Sequence, residues 1–231
     1  MSRAVDRKGM QMRRLYGSVL AASILIWCGS VQLNATSLIV NGSFETPSVA
    51  GGQGWAGFAN GDIPGWTSND TGDASGPGGT EIDLTSILSM PAYDGVQSLE
   101  VDGWGFDTVT QTVTGLTPGQ EYLLSWAYGV RPGSGPQQLV VSFGGNVITT
   151  DSTGNSQSVW NLNTFKVVAT GTSEDLVFAA VDTSATGGNS KVGNELDAVS
   201  LEAIPEPATL PLLLTGIGLL AFLWQRKALR A

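Results

Sequence analysis

The chain has 231 residues, 20 of them acidic and 11 basic, with no histidine and one cysteine. The missing histidine excludes Ser-His-Asp and Cys-His nucleophile systems, histidine-ligated zinc and histidine acid–base work. A single cysteine excludes an internal disulfide framework.

The first 35 residues read as a secretory signal peptide. Arg3, Arg7, Lys8, Arg13 and Arg14 form a basic region, Leu15 to Trp27 is a short apolar run, and Leu33-Asn34-Ala35 offers a cleavage site. The mature chain then starts near Thr36. The cysteine, Cys28, falls inside this signal, so thiol catalysis and thiolate metal sites are excluded from the mature part. Ile26-Trp27 stands where a lipobox needs small residues, which argues against lipoprotein anchoring.

Residues 36–203 have the size of one domain and enough chain to bury a core without staples. Asp6 and Glu206 lie outside them, leaving 18 acids. Five basic residues precede and three follow, leaving Arg131, Lys166 and Lys191, so the domain carries a net charge of −15. Such a surface repels nucleic acid and acidic lipid, and it suits divalent cations.

Within the domain, strand signals follow one another between glycine-rich turns. Glycine occupies 31 of the 231 positions, against an ordinary share of about 7%. Val109, Gln111 and Val113 alternate with threonines. Tyr122, Leu124, Trp126 and Tyr128 share one face, as do Leu139, Val141 and Phe143, and Leu176, Phe178 and Ala180. Thr117-Pro118-Gly119-Gln120 fits a type II turn. Clusters at Gly51-Gly52, Gly76-Pro77-Gly78-Gly79, 132–136, 144–146 and 187–189 separate the strands, and residues 51–79 form the loop-richest stretch. Short strands without intervening helices predict an all-β sandwich.

Residues 204–231 close the chain in three parts. Pro205-Glu206-Pro207 comes first. Ala208 to Trp224 is then free of charge and, at about 1.5 Å per residue, is barely long enough to cross a hydrocarbon core about 30 Å thick, which predicts a transmembrane helix over 208–224. Gln225-Arg226-Lys227-Ala228-Leu229-Arg230 is a basic tip of the kind that stays cytoplasmic. This tail resembles the PEP-CTERM sorting signal of exopolysaccharide-producing Gram-negative bacteria. The resemblance implies recognition near Pro205, Glu206 and Pro207 by a membrane protease-transpeptidase, an exosortase. It also implies a precursor anchored in the cytoplasmic membrane and a product in the envelope or extracellular matrix.

The domain carries a second resemblance, in the order of its motifs. Leu38-Ile39-Val40-Asn41-Gly42-Ser43-Phe44-Glu45 opens it and Ile63-Pro64-Gly65-Trp66 follows. Gly95 to Val101, Thr110 to Val113 and Gly115 to Tyr122 come next, and Glu195 to Leu201 closes it. This order resembles the galactose-binding-like jelly rolls, closest to the cell-wall-associated family of unknown function in plants and bacteria and to xylan- and cellulose-binding modules. It implies a jelly-roll β-sandwich. It also implies a structural calcium ion between the first and last strands, on Glu45 and Asp197. Leu196 stands where many relatives have a second acid, which removes one ligand. The alternative is that these acids bond loop amides or meet a basic residue, and with three basic residues in the domain the salt-bridge alternative is poor.

Among the tryptophans, Trp126 sits mid-strand and Trp66 follows a Pro-Gly turn, so both are expected in the core. Trp104 and Trp55, flanked by glycines on expected loops, are the candidates for stacking against sugar rings. A glycosidase needs two carboxylates across a cleft. Asp94, Glu100, Asp102 and Asp107 lie close in sequence, but in so acidic a domain that is expected by chance, and no catalytic residue is assigned. The sequence therefore predicts a non-catalytic exported protein that binds carbohydrate, with polysaccharide and an exosortase as partners. The alternatives are a biofilm or surface-coat protein with no specific sugar and, third, a glycan-active enzyme.

Overall fold

The computed structural model describes residues 36–70, 80–84, 90–153 and 159–205, together with helical backbone positions 216–218, 220 and 224. The chain divides into two units, Met1–Asn34 and Ala35–Ala231. The signal-peptide segment 1–35 lies outside the described residues, and the proposed membrane helix 208–224 lies mostly outside them. Among the described residues no helix is long and apolar enough to cross a membrane.

Among the described residues eleven strands form the domain: β1 (Trp55–Phe58), β2 (Thr67–Ser68), β3 (Thr80–Leu84), β4 (Gln97–Glu100), β5 (Thr108–Thr114), β6 (Glu121–Val130), β7 (Gln137–Phe143), β8 (Asn146–Thr153), β9 (Asn161–Val168), β10 (Ser173–Ala180) and β11 (Asn194–Ala203). A six-stranded sheet runs β1-β3-β4-β11-β6-β9 and a five-stranded sheet β2-β5-β10-β7-β8. Every pairing is antiparallel. The result is the all-β sandwich that the alternation predicts, of the jelly-roll type that the resemblance implies. A 3-10 turn, Ser184–Thr186, stands between β10 and β11.

The expected strand faces are the faces found. Val109, Gln111 and Val113 are buried on β5, Tyr122, Leu124, Trp126 and Tyr128 on β6, and Leu139, Val141 and Phe143 on β7. They meet between the sheets, where Trp126 packs edge-on against Phe178 of β10 at 5.8 Å and Phe178 contacts Trp66 at 6.1 Å. Turn 117–120 has the type II form, with Gln120 N–H donating to the Thr117 carbonyl and Gly119 at φ +83°.

Two buried glutamines tie the opening segment onto this core. Gln111 donates to and accepts from the backbone of Val40. Gln97 accepts from Val49 N–H and donates to the carbonyls of Phe44 and Pro47. These buried amides add to the backbone bonds that Leu38 N–H and the Gly42 carbonyl make with Leu201 and Val199 of β11.

Candidate functional site

Side chains of a strand alternate between faces, and residues opposite each other in antiparallel strands share a face. Ile82, Leu99, Leu196 and Tyr128 belong to the core. Their neighbours therefore point to the far side of the six-stranded sheet. There Gly57 of β1 pairs with Glu81 of β3, Glu81 with Glu100 of β4, Glu100 with Glu195 of β11, and Glu195 with Gly129 of β6. At about 4.8 Å per strand this row runs about 19 Å across the sheet. Asp83, two residues along β3, lies on the same face.

A tryptophan covers each glycine end. A Cβ at Gly57 would come within 2.6 Å of Trp104 Cζ2, and one at Gly129 within 2.9 Å of Trp160 Cε3 and 2.8 Å of Met90 Cε. Glycine is needed at both positions for the indoles to lie against the sheet. Trp55, opposite Asp83, meets Trp104 edge-on at 6.3 Å. Tyr93 meets Trp160 edge-on at 6.4 Å, and Trp160 Nε1 donates to the Pro91 carbonyl. Trp55, Trp104 and Trp160 are half-buried, and Tyr93 is 45% exposed.

Between these aromatics the carboxylates are deeply buried: Asp83, Glu100, Asp102 and Glu195 are fully covered and Glu81 nearly so. Arg131 reaches Asp83 Oδ2 at 3.3 Å and Glu100 Oε2 at 3.2 Å. Glu100 also accepts from Gly193 N–H, and Asp102 from Asn194 N–H and its side-chain amide. Burial, followed by repulsion from Asp83, pushes the Glu81 carboxyl up to about 8. Burial alone is the main reason that Asp102 rises to about 7, against the opposing bonds from Asn194. Glu100 is raised by burial first and then by Glu195 and Asp83, and Glu195 by burial first and then by Asp83.

Glu45 and Asp197 converge on the loop before β4. Glu45 Oε1 accepts from the N–H groups of Val96 and Gln97. Asp197 Oδ2 accepts from Asp94 N–H and its Oδ1 from Ala198 N–H, at the register shift of β11. Burial pushes Asp197 up to about 7 despite those bonds. The two acids bind loop amides, the use that the scarcity of cations left for them.

The structure corrects one placement. Trp55 begins edge strand β1 instead of lying on a loop, because residues 55–58 pair with 80–83. Trp104 does lie on the loop after β4. The four acids noted together in sequence separate: Glu100 and Asp102 join the row, while Asp107, raised to about 6 by burial and then by Asp70, does not. Trp160, Tyr93, Glu81, Asp83 and Glu195 escape sequence reasoning because only strand register brings them together. A cavity of about 310 Å³ on the other sheet is lined by Pro136, Ala185 and polar residues around Gln137 and Thr183, with Asp182 its charged group and no aromatic ring.

The chain carries a protein-sorting tail: residues 203–227 match the PEP-CTERM protein-sorting motif. In sequence, 84% of the chain is similar to Halomucin of Haloquadratum walsbyi, at 27% identity over 204 residues, and it spans 2% of that protein. Among solved structures, the domain is similar in fold to carbohydrate-binding modules. TmCBM61, solved with β-1,4-galactotriose, aligns at 15% identity and a TM-score of 0.47, covering 74% of this chain and all of that one. The CBM22-1 xylan-binding domain of Paenibacillus barcinonensis Xyn10C aligns at 16% identity and a TM-score of 0.43, covering 75% and 97%. A family 35 module from Clostridium thermocellum aligns at 11% identity and a TM-score of 0.39, covering 64% and 96%.

Proposed function

We propose that this chain is an exported, non-catalytic, polysaccharide-binding protein whose tail is handed to an exosortase near Pro205, Glu206 and Pro207 on its way from the cytoplasmic membrane to the envelope. The observation that carries the binding part is the Trp55–Trp104 pair, two adjoining half-exposed indoles beside an edge strand. Indoles offer a flat apolar face to the C–H side of a sugar ring, and the buried Nε1 of Trp104 has no hydrogen-bond partner among the described residues. Trp160 and Tyr93 stand at the other end of the same row. A glycosidase reading fits poorly, because its two carboxylates must reach the bond from either side and those of the row are covered.

The test is pull-down of the full chain in detergent with a panel of insoluble polysaccharides, together with thermal melting. Trp104→Ala and Trp55→Ala should each weaken binding by about 1–3 kcal/mol, the size of other aromatic stacking contacts, and leave a folded domain. If a folded wild-type chain retains none of the polysaccharides, the surface-coat reading takes its place.

Glu45 and Asp197 also support a calcium ion at the join between the opening segment and β11, since both already hold the 94–97 loop. A native-state ligand at 100 times its Kd adds about 2.7 kcal/mol. Chelator should therefore lower the melting temperature, and Asp197→Ala should shrink the difference by this ion's share. Identical melting curves with and without chelator would discard this ion.

A further inference from the structure

We propose that Glu81, Asp83, Glu100 and Glu195 form a closed site for one divalent cation of the calcium type, separate from Glu45 and Asp197. One oxygen from each of Glu81, Asp83 and Glu100 lies within 4.8 Å of the others. Two calcium–oxygen bonds of about 2.3–2.6 Å span about 4.6–5.2 Å, so one ion can touch all three.

Glu195 is an independent pointer to the missing ligand. It is fully buried and stands in register opposite Glu100 on the same face. Its Oε2 accepts from the Ser98 hydroxyl at 2.8 Å. Its Oε1, like Asp83 Oδ1, is buried without a hydrogen-bond partner among the described residues. An unmet carboxylate oxygen in such a place carries a large desolvation cost. A cation between strands would meet both.

Charge counting agrees. Arg131 bonds one oxygen of Asp83 and one of Glu100, and a single guanidinium cannot balance Glu81, Asp83, Glu100, Glu195 and neighbouring Asp102. The all-oxygen donor set disfavours zinc, which prefers nitrogen and sulfur. Magnesium keeps several waters, whereas calcium accepts six to eight protein oxygens. These acids are almost fully covered, so the ion would brace β3, β4 and β11 and would not meet substrate.

The experiment is calorimetric titration of calcium chloride into the metal-stripped full chain in detergent, with magnesium chloride as comparison, and melting followed in parallel. The expected result is an ion on the wild type that survives the double change Glu45→Gln/Asp197→Asn. In that double-variant background, Asp83→Asn and Glu195→Gln should each weaken it at least tenfold and abolish the calcium-dependent rise in melting temperature that remains. Glu195→Gln keeps the side-chain volume and an acceptor for Ser98, so it carries the test if Asp83→Asn fails to fold. The wild-type titration needs no variant. The proposal falls if the wild type takes up no calcium, if Glu195→Gln binds it as the wild type does, or if only the Glu45/Asp197 change removes it. Glycan binding is read separately, so its failure leaves this result standing.

Discussion

Trp126 shows what a single residue contributes here. It is fully buried, stacks on Phe165 at 5.5 Å with an interplanar angle of 14°, and meets Phe178 edge-on. Its Nε1 donates to Asp151 Oδ2 at 2.9 Å. Trp126→Ala removes the ring and leaves Asp151 short of a donor, so denaturant unfolding should show a loss of about 3–5 kcal/mol. A loss below about 1 kcal/mol would mean that the site closes over the gap. Its burial was legible because Leu124 and Tyr128 flank it at strand period. Trp55 gave no such signal: glycines surround it, and its strand exists only through pairing with β3.

The element that governs the candidate site is the β3-β4-β11 ladder. Its acids come from sequence segments up to 114 positions apart, Glu81 and Glu195 being the extremes, and each alone reads as a solvated polar residue on a half-buried strand. Register turns them into one buried, mutually repelling group. In chelator this makes a pH prediction. Unfolded, Glu81 and Asp102 release their protons near 4.5 and 3.8; folded, they hold them to about 8 and about 7. Between those limits the folded state binds more protons, so stability falls as pH rises. Asp83, Glu100 and Glu195 shift in the same direction through burial, and Arg131 opposes it. Melting temperature in chelator should therefore decline from pH 5 to pH 8. A flat or rising profile would show that these acids are solvated in the folded protein.

At the scale of the whole molecule, an acidic sandwich is carried between two basic-tipped terminal segments, and the tail has a protein-sorting match. If an exosortase acts on it, intact-mass analysis of envelope material from the native host should lack Leu210–Ala231. Recovery of full-length, membrane-embedded protein alone would argue for a permanent anchor. The sorting tail and the fold class were determined by sequence alone. A sorting signal is a linear pattern of charge and apolarity, and a strand that faces a core must alternate wherever it pairs. Hence the buried faces of β5, β6, β7 and β10, and the core places of Trp66 and Trp126, were already legible. Which strands become neighbours, and in what register, depends on packing between segments far apart in the chain. Only the tertiary structure could therefore set Trp55 beside Trp104, Trp160 over Gly129, and Glu81, Asp83, Glu100 and Glu195 together around Arg131.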